Sequence, residues 1–225
     1  MNARRRLACF GLALTLSFTT LTGMGGESEV CAAFKDSKVD QTVLETMLKA
    51  AEVGRLYRID ATTSKVGFCV NSQFKRVEGN FREFQGGMAL SKEGAGKAQT
   101  LVMIKAASLD TDGALIESMI KSDRFFDVEN YPQILFVSTG FEWTGRTTAR
   151  LMGNLTLHGV TKPVVFNVTL MDIKDKSAGK DEQILVKATT KVSRAEFGMD
   201  TLSSLVDDNV QLCMSVKARK FAGKV

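Results

Sequence analysis

The chain has 225 residues, of which 44% are hydrophobic and 24% charged, and its formal net charge is +5 at pH 7. This length fits one domain of moderate size, or one domain with an appendage, and a content of 2 Pro and 19 Gly excludes collagen and low-complexity disorder. A single His rules out a multi-His metal site and disfavours a His-based catalytic relay. The positive charge is small and scattered, which disfavours a nucleic-acid partner. We therefore expect no metal, no cofactor, no catalytic residue and no nucleic acid.

The N-terminal segment has the three parts of a secretory signal peptide. Arg4, Arg5 and Arg6 form a basic start, residues 7–21 are mostly apolar, and small residues follow at Ala32 and Ala33. The apolar run is too short and too interrupted to span a bilayer comfortably. We predict a cleaved signal over residues 1–32 and a periplasmic location. An uncleaved anchor and an earlier cut at residues 23–25 are the alternatives.

Residues 33–55 are predicted to form a helical extension. Asp36 or Ser37 is expected to cap this helix and Gly54 to end it. We expect the helix to pack on the following domain, with binding to a membrane surface or a partner as the alternative. Its apolar residues recur at three- and four-residue spacing: Val39, Val43, Met47, Leu48 and Ala51.

Beyond Tyr57 apolar residues alternate with polar ones, which is typical of strands with one apolar face. A short helix over residues 112–120 interrupts the strands, and Tyr131-Pro132 favours extended backbone after it. We predict one all-β domain over residues 56–221, either a sandwich or a closed barrel. A barrel of about eight strands can enclose one small ligand. The alternating runs cover residues 66–70, 102–106, 134–138, 149–157, 164–170, 184–192 and 210–216.

Six motifs follow one another along this domain. Their shared order resembles the YceI-like family of bacterial secreted, polyisoprenoid-binding, lipocalin-like proteins. The resemblance implies an eight-stranded antiparallel lipocalin-like barrel with short helices, to which the N-terminal helix is an addition. Met119 stands about where that family often has a His, which makes the ligand's head group harder to predict than its chain. The motifs are YRID at 57–60, VEGNFREFQG at 77–86, SLDT at 108–111, SDRFFD at 122–127, GNLTLHGVTKPV at 153–164 and FGM at 197–199.

The resemblance also implies an apolar cavity that holds an isoprenoid lipid, of the quinone or prenyl phosphate type. A phosphate head would need cations at the mouth, for which Arg58, Lys121 and Arg124 are candidates unless they are solvated surface charges. An ordinary packed core is the alternative for each apolar candidate. The candidate cavity residues are Phe68, Val70, Phe74, Phe81, Phe84, Phe125, Phe126, Phe136, Phe166 and Phe197.

Four polar residues of the motifs receive structural interpretations. Asp110, Asp123 and Asp127 resemble acid–base carboxylates, but we interpret them as caps of the short helices beside them. His158 precedes a glycine and is interpreted as a turn residue. Trp143 is expected at the end of a hairpin.

Two cysteines lie in the body of the chain. Because Phe68 and Val70 are predicted to point inward, Cys69 points outward, and the same alternation turns Cys213 outward. The first and last strands of a closed barrel are neighbours. We therefore predict a Cys69–Cys213 disulfide across the seam, with two free thiols as the alternative.

The function predicted from these observations is non-catalytic binding of an isoprenoid lipid. One alternative is a stress-response or structural protein whose barrel is filled and which acts through its surface. The other is an enzyme for a small amphipathic substrate, which the missing nucleophile–base pair disfavours. A transient contact with a membrane or a membrane protein and the oligomeric state are left open.

Overall fold

A computed structural model describes residues 39–53, 55–89, 98–173 and 183–221. The predicted signal peptide over residues 1–32 lies outside these ranges. Two helices of more than one turn occur in them, α1 (Gln41–Glu52) and α2 (Ala114–Lys121). The strands are β1 (Leu56–Ile59), β2 (Lys65–Asn71), β3 (Arg76–Phe81), β4 (Phe84–Ala89), β5 (Gln99–Lys105), β6 (Leu109–Thr111), β7 (Gln133–Trp143), β8 (Thr148–Leu157), β9 (Val160–Ile173), β10 (Gln183–Ser193) and β11 (Asn209–Lys220).

Eight of the strands close into an antiparallel barrel, as predicted. Their order is β1-β4-β5-β7-β8-β9-β10-β11, and β11 returns to pair with β1. The edge of β11 that faces away from β10 pairs with two strands. Residues 211–215 pair with β2, and residues 218–220 pair with β1. Strands β2, β3 and β6 then extend the sheet beyond this seam. The alternating run at residues 66–70 becomes β2, and the other six runs overlap with strands of the barrel.

The alternation also decides which side chains fill the interior. Even-numbered residues of β10 from Ile184 to Ala188 are buried, whereas the odd-numbered Lys187 and Thr189 are exposed. Burial of each such Val, Ile or Leu side chain contributes about 1.5–3 kcal/mol. The interior cluster runs from Tyr57 on β1 to Ala218 on β11, so all eight barrel strands contribute to one core.

Helix α1 packs on the outside of the barrel, as predicted. Met47, Ala50 and Ala51 are buried and form a second cluster with Leu56 of β1 and Leu101 of β5. The position of its N-cap was predicted wrongly. The cap is Asp40, whose carboxylate accepts the backbone N–H of Thr42 at 2.8 Å, whereas residues 36 and 37 lie outside the described ranges.

Two turns match their sequence interpretation. His158 and Gly159 connect β8 to β9 with φ values of 51° and 72°. A two-residue hairpin of this type needs positive φ at both positions, which explains the glycine. Trp143 ends β7 opposite Ala149, at the other end of the barrel.

The apolar side chains of the middle helix lie in two different environments. In α2, Ile120 is buried and Ile116 packs against the core, but Leu115 is 85% exposed and Met119 is 36% exposed. The helix therefore presents apolar side chains to both the barrel and the surroundings. Among the helices of the described ranges, none has both the length and the apolar composition required for a membrane span.

Candidate functional site

An apolar cavity occupies one end of the barrel. Its volume is about 140 Å³. It is bounded by the interior faces of β2, β7, β10 and β11 and covered by α2 and the segment after it. We call this the open end, because Met119 of α2 lines the cavity while remaining 36% exposed.

Aromatic rings form much of the cavity wall. Phe68, Phe81 and Phe126 make a cluster with ring centroids 5.8–6.2 Å apart. Phe136 and Phe166 meet edge to face at 5.3 Å. Gly79 makes room for the first cluster, because a Cβ there would lie 2.5 Å from the Phe68 ring. These contacts hold the rings against the walls.

One charged side chain, Arg194, is among the lining residues of this cavity. It is 4% exposed, and its guanidinium donates to the backbone carbonyls of Met199, Thr201, Val206 and Asp207. Its positive charge also lies 6.0 Å from the centroid of the Phe125 ring. Arg194 thus ties the connection between β10 and β11 to the open end.

Arg194 was missed by the sequence analysis, although the sequence held a signal for it. Like the inward residues of β10, Val192 and Arg194 are even-numbered. The alternation therefore already predicts that the Arg194 side chain points towards the interior. A buried guanidinium needs several acceptors. Backbone carbonyls contributed by a later loop cannot be seen in a local pattern.

Seven of the ten predicted cavity residues line this cavity, and three do not. Phe74 is 82% exposed because residues 72–75 form the β2–β3 turn, where the strand alternation ends. Phe84 is buried in the core outside the cavity. Phe197 is also buried outside the cavity, in a 3-10 turn, and its backbone carbonyl oxygen lies 3.0 Å from Nδ1 of His158. The lining residues from the prediction are Phe68, Val70, Phe81, Phe125, Phe126, Phe136 and Phe166.

None of the three cations predicted for a head group lines the cavity. Arg58 is exposed on β1, and Arg124 is exposed on the segment after α2. Lys121 donates to Glu117 at 2.7 Å, which is an i,i+4 pair on the helix surface. None of the three side chains therefore faces the cavity, and a contact with a head group at the mouth stays a prediction.

Methionines and aliphatic residues complete the lining. Met119, Met199 and Met214 come from three separate segments and meet at the cavity. Methionine is flexible and fills irregular space, so these side chains can repack around a guest. Sequence reasoning concentrated on Phe and therefore overlooked them.

The three aspartates interpreted as helix caps do not cap α2. Helix α2 begins after Gly113 and has no side-chain cap. Asp110 forms an ion pair with Arg82 at 2.7 Å, and Asp127 accepts from the amide of Asn130. Asp123 is exposed. The backbone N–H of Arg124 donates to the hydroxyl of Ser122 rather than to Asp123, and this hydrogen bond is long at 3.4 Å.

Cys69 and Cys213 lie on neighbouring strands as free thiols. The register pairs Cys69 with Gln211 and Cys213 with Gly67, so the two cysteines are diagonal neighbours. Neither lines the cavity, and the Cys69 sulfur accepts from Arg76. Burial and the hydrogen-bonded Cys69 raise the pKa of the Cys213 thiol. Their oxidation to a disulfide stays a prediction.

Comparison with known proteins agrees with this architecture. The YceI-like domain family matches residues 57–218. A UPF0312 protein of Pseudomonas putida strain W619 is 37% identical over 127 residues, which are 55% of this chain and 64% of the relative. A UPF0312 protein of Serratia proteamaculans strain 568 is 32% identical over 139 residues, which are 62% of this chain and 71% of the relative. The chain thus spans less than two thirds of the Pseudomonas relative.

Solved structures share the fold. BcnA of Burkholderia cenocepacia superposes with a TM-score of 0.62 at 23% identity, covering 71% of this chain and 98% of BcnA. The Campylobacter jejuni YCEI protein gives 0.57 at 25% identity, covering 63% and 83%. A polyisoprenoid binding domain from Saccharophagus degradans gives 0.57 at 16% identity, covering 73% and 98%. On its sequence match and its barrel, this chain belongs to the YceI-like family.

Proposed function

We propose that the protein binds the isoprenoid chain of a lipid in the cavity at the open end and performs no catalysis on it. The observation that carries this proposal is an almost wholly apolar cavity at one end of a barrel. A prenyl chain offers only apolar surface, and burial contributes about 0.8 kcal/mol per CH₂. The description of the Saccharophagus degradans neighbour as a polyisoprenoid binding domain supports the same ligand class.

The size of the cavity limits what it holds without rearrangement. Its 140 Å³ is close to the roughly 150 Å³ of an apolar cavity that takes up benzene. A short prenyl segment fits this space, and a longer chain requires the lining methionines and α2 to move. We therefore expect affinity to rise with chain length only as far as these elements can repack.

The mouth favours an uncharged head group. Arg194, the charged lining residue, already donates to four backbone carbonyls. Met119 and Ile116 add only apolar atoms. A phosphate at this position would lose water without gaining a cation, so a neutral head such as a quinone fits better than a prenyl phosphate.

The proposal includes export to the periplasm after removal of residues 1–32. An oxidising compartment would convert Cys69 and Cys213 into a disulfide, releasing two protons and passing two electrons to the disulfide of an oxidising partner. The bond would close a loop of about 145 residues, worth roughly 4–5 kcal/mol in the chain-entropy model.

Alkylation followed by mass spectrometry of the exported protein tests the disulfide. We expect neither thiol to be alkylated before reduction and both to be alkylated after it. The variant Cys213→Ser should leave Cys69 reactive. Two alkylated thiols in unreduced, exported protein would contradict the bond.

Native mass spectrometry with solvent extraction tests the ligand. The protein is purified from its own host, and a co-purifying prenyl lipid is the expected result. The variant Leu155→Phe, which places a ring in the cavity, is the matched control and should carry much less lipid. An empty protein that also fails to take up added farnesol would overturn the proposal.

The small cavity volume also supports a second candidate function, a barrel that is in effect filled and acts through its surface. In that case, farnesol should leave the unfolding temperature of both the native chain and Leu155→Phe unchanged. Stabilisation of the native chain alone favours lipid binding, because a ligand that binds only the folded state raises its stability.

A further inference from the structure

Four exposed apolar side chains surround the open end. We call them the mouth rim: Leu115 is 85% exposed, Phe74 82%, Leu202 38% and Met119 36%. They come from three segments that are far apart in sequence: α2, the β2–β3 turn and the connection between β10 and β11. Leu115 and Met119 are spaced i,i+4 and so lie on one face of α2.

Each of the three segments also contributes to the cavity wall. Helix α2 supplies Ile116, the strands beside the turn supply Val70 and Val77, and the β10–β11 connection supplies Val206. Two of the segments are joined directly, since the backbone N–H of Gln73 in the β2–β3 turn donates to the carbonyl of Leu205 and its side chain donates to that of Ser204 in the β10–β11 connection. The mouth rim is therefore continuous with the apolar lining.

Leu202 adds an independent observation. Its φ is 58°, in the left-handed region that favours Gly or Asn and is rare for a bulky residue. The Leu side chain is 38% exposed, so the fold covers only part of its apolar surface and does not by itself explain a Leu at this φ. A surface that the apolar side chain contacts would explain it.

Charge does not select an anionic partner at this surface. Lys121 is paired with Glu117 and Arg76 with Glu78, whereas Lys75 is exposed next to Phe74 and Arg124 follows Asp123 in the chain. The β10–β11 connection carries Asp200 and Asp207. Such a mixed surface with protruding Leu, Met and Phe side chains is suited to insertion into the acyl boundary of a bilayer, whatever the charge of its head groups.

We propose that the mouth rim inserts into a lipid bilayer, so that a lipid passes between the membrane and the cavity without crossing water. This proposal rests on the proposed function for its purpose, since isoprenoid lipids reside in bilayers. The occupant is the phospholipid surface itself. Binding should need no anionic lipid.

Fluorescence quenching by brominated phosphatidylcholine vesicles tests the insertion. The chain has one Trp, at position 143, on the end of the barrel opposite the rim, and it serves as an internal control. We expect the indole introduced by Phe74→Trp in a Trp143→Phe background to lose about half its emission, because a group inserted roughly 5–10 Å meets the bromine atoms. Native Trp143 should keep its emission.

A variant trio separates docking from cargo binding. Phe74→Ser, Leu115→Gln and Leu202→Asn together should slow lipid transfer from vesicles at least about tenfold, since one buried Phe or Leu is worth about that factor. Uptake of dissolved farnesol should not change. The matched trio Trp143→Ser, Val165→Thr and Met171→Gln alters exposed apolar residues away from the mouth and should transfer normally.

The outcomes distinguish the two proposals. Equal quenching at positions 74 and 143, or no quenching at position 74, overturns the bilayer proposal even if farnesol binds. Quenching at position 74 without any uptake of farnesol supports docking and overturns the proposed function. A blue shift that grows with protein concentration in the absence of vesicles would identify a second copy of the chain as the occupant and overturn the bilayer proposal.

Discussion

The two ends of the barrel are built from the same strands but are filled differently. We call the end that holds Trp143 the closed end, and there Ala149, Val168 and Ala218 are nearly inaccessible and do not line the cavity. At the open end, large rings such as Phe68 and Phe136 surround 140 Å³ of space. Small side chains let the walls approach, whereas rings held against each other keep them apart. A run of Phe residues is therefore no sign of a filled core in this fold.

The ends also differ in what holds them together. At the closed end β1 and β11 pair directly, and Arg219 of β11 adds a partly exposed ion pair with Asp60 at 3.0 Å, which contributes little to stability. At the open end the connection between β10 and β11 depends on the hydrogen bonds of Arg194. Hence polar changes should weaken the open end most, and changes in volume should weaken the closed end most.

The largest expected effect comes from Arg194→Met. The substitution leaves four backbone carbonyls without their donor, so we expect a loss of about 3–5 kcal/mol in the free energy of unfolding. Urea denaturation measures it. Lys191→Met on the exposed face of the same strand is the control and should change stability by less than about 0.5 kcal/mol. A loss below about 1 kcal/mol for Arg194→Met would mean that the connection holds without it.

A matched pair of enlargements compares the ends directly. Ala218→Leu adds volume where the side chain has 0% exposure and should cost about 1–3 kcal/mol through overpacking. Leu155→Phe adds volume beside the cavity and should cost less than about 1 kcal/mol, because the ring enters existing space. Equal costs in urea denaturation would remove the distinction between the two ends.

The smallest expected effect is on acid stability. The hydroxyl of Ser193, the backbone N–H of Ala195 and the charge of Arg194 lower the pKa of Asp208 at the open end. A lowered pKa in the folded state stabilises the protein above about pH 4 and loses that contribution as the pH falls further.

The variant Asp208→Asn should remove part of this pH dependence, by less than about 1 kcal/mol because the carboxylate is exposed. Asp60, whose pKa the Thr62 hydroxyl lowers, is the corresponding carboxylate near the seam. Unfolding free energies of the native chain and of Asp208→Asn, measured between pH 3 and pH 7, show how much of the pH dependence comes from Asp208. An unchanged profile in Asp208→Asn would contradict the role assigned to these hydrogen bonds.

The barrel could be predicted from sequence because alternation in long strands is a local pattern. Prediction from alternation fails where a side chain's direction depends on a turn or on residues far away in the sequence. Phe74 has the parity of Phe68, but a turn at Ser72 sends its ring outward. The strands β3 and β4 were not predicted from alternation, because they are short and contain glycine. Gly79 and Gly86 stand where a Cβ would collide with Phe68 and with the Leu101 carbonyl.

The cavity itself could not be predicted, because space is what remains after all strands have packed. Phe166 lines it and Phe197 does not, although both are almost fully buried. Their difference arises from tertiary placement rather than from residue type. The resemblance to a family implies a hollow barrel. Only the three-dimensional structure gives the volume of the cavity and shows at which end of the barrel the cavity lies.

Methyl NMR of the eight methionines that follow residue 32 is the most direct test of the cavity at the open end and its ligand. Farnesol is titrated into protein labelled at the methionine methyl groups. The account predicts shifts and contacts to the ligand at Met119, Met199 and Met214, which line the cavity, and none at the outward Met171. Saturable shifts at Met171 without shifts at the three lining methionines would contradict it, as would no shift at any of them.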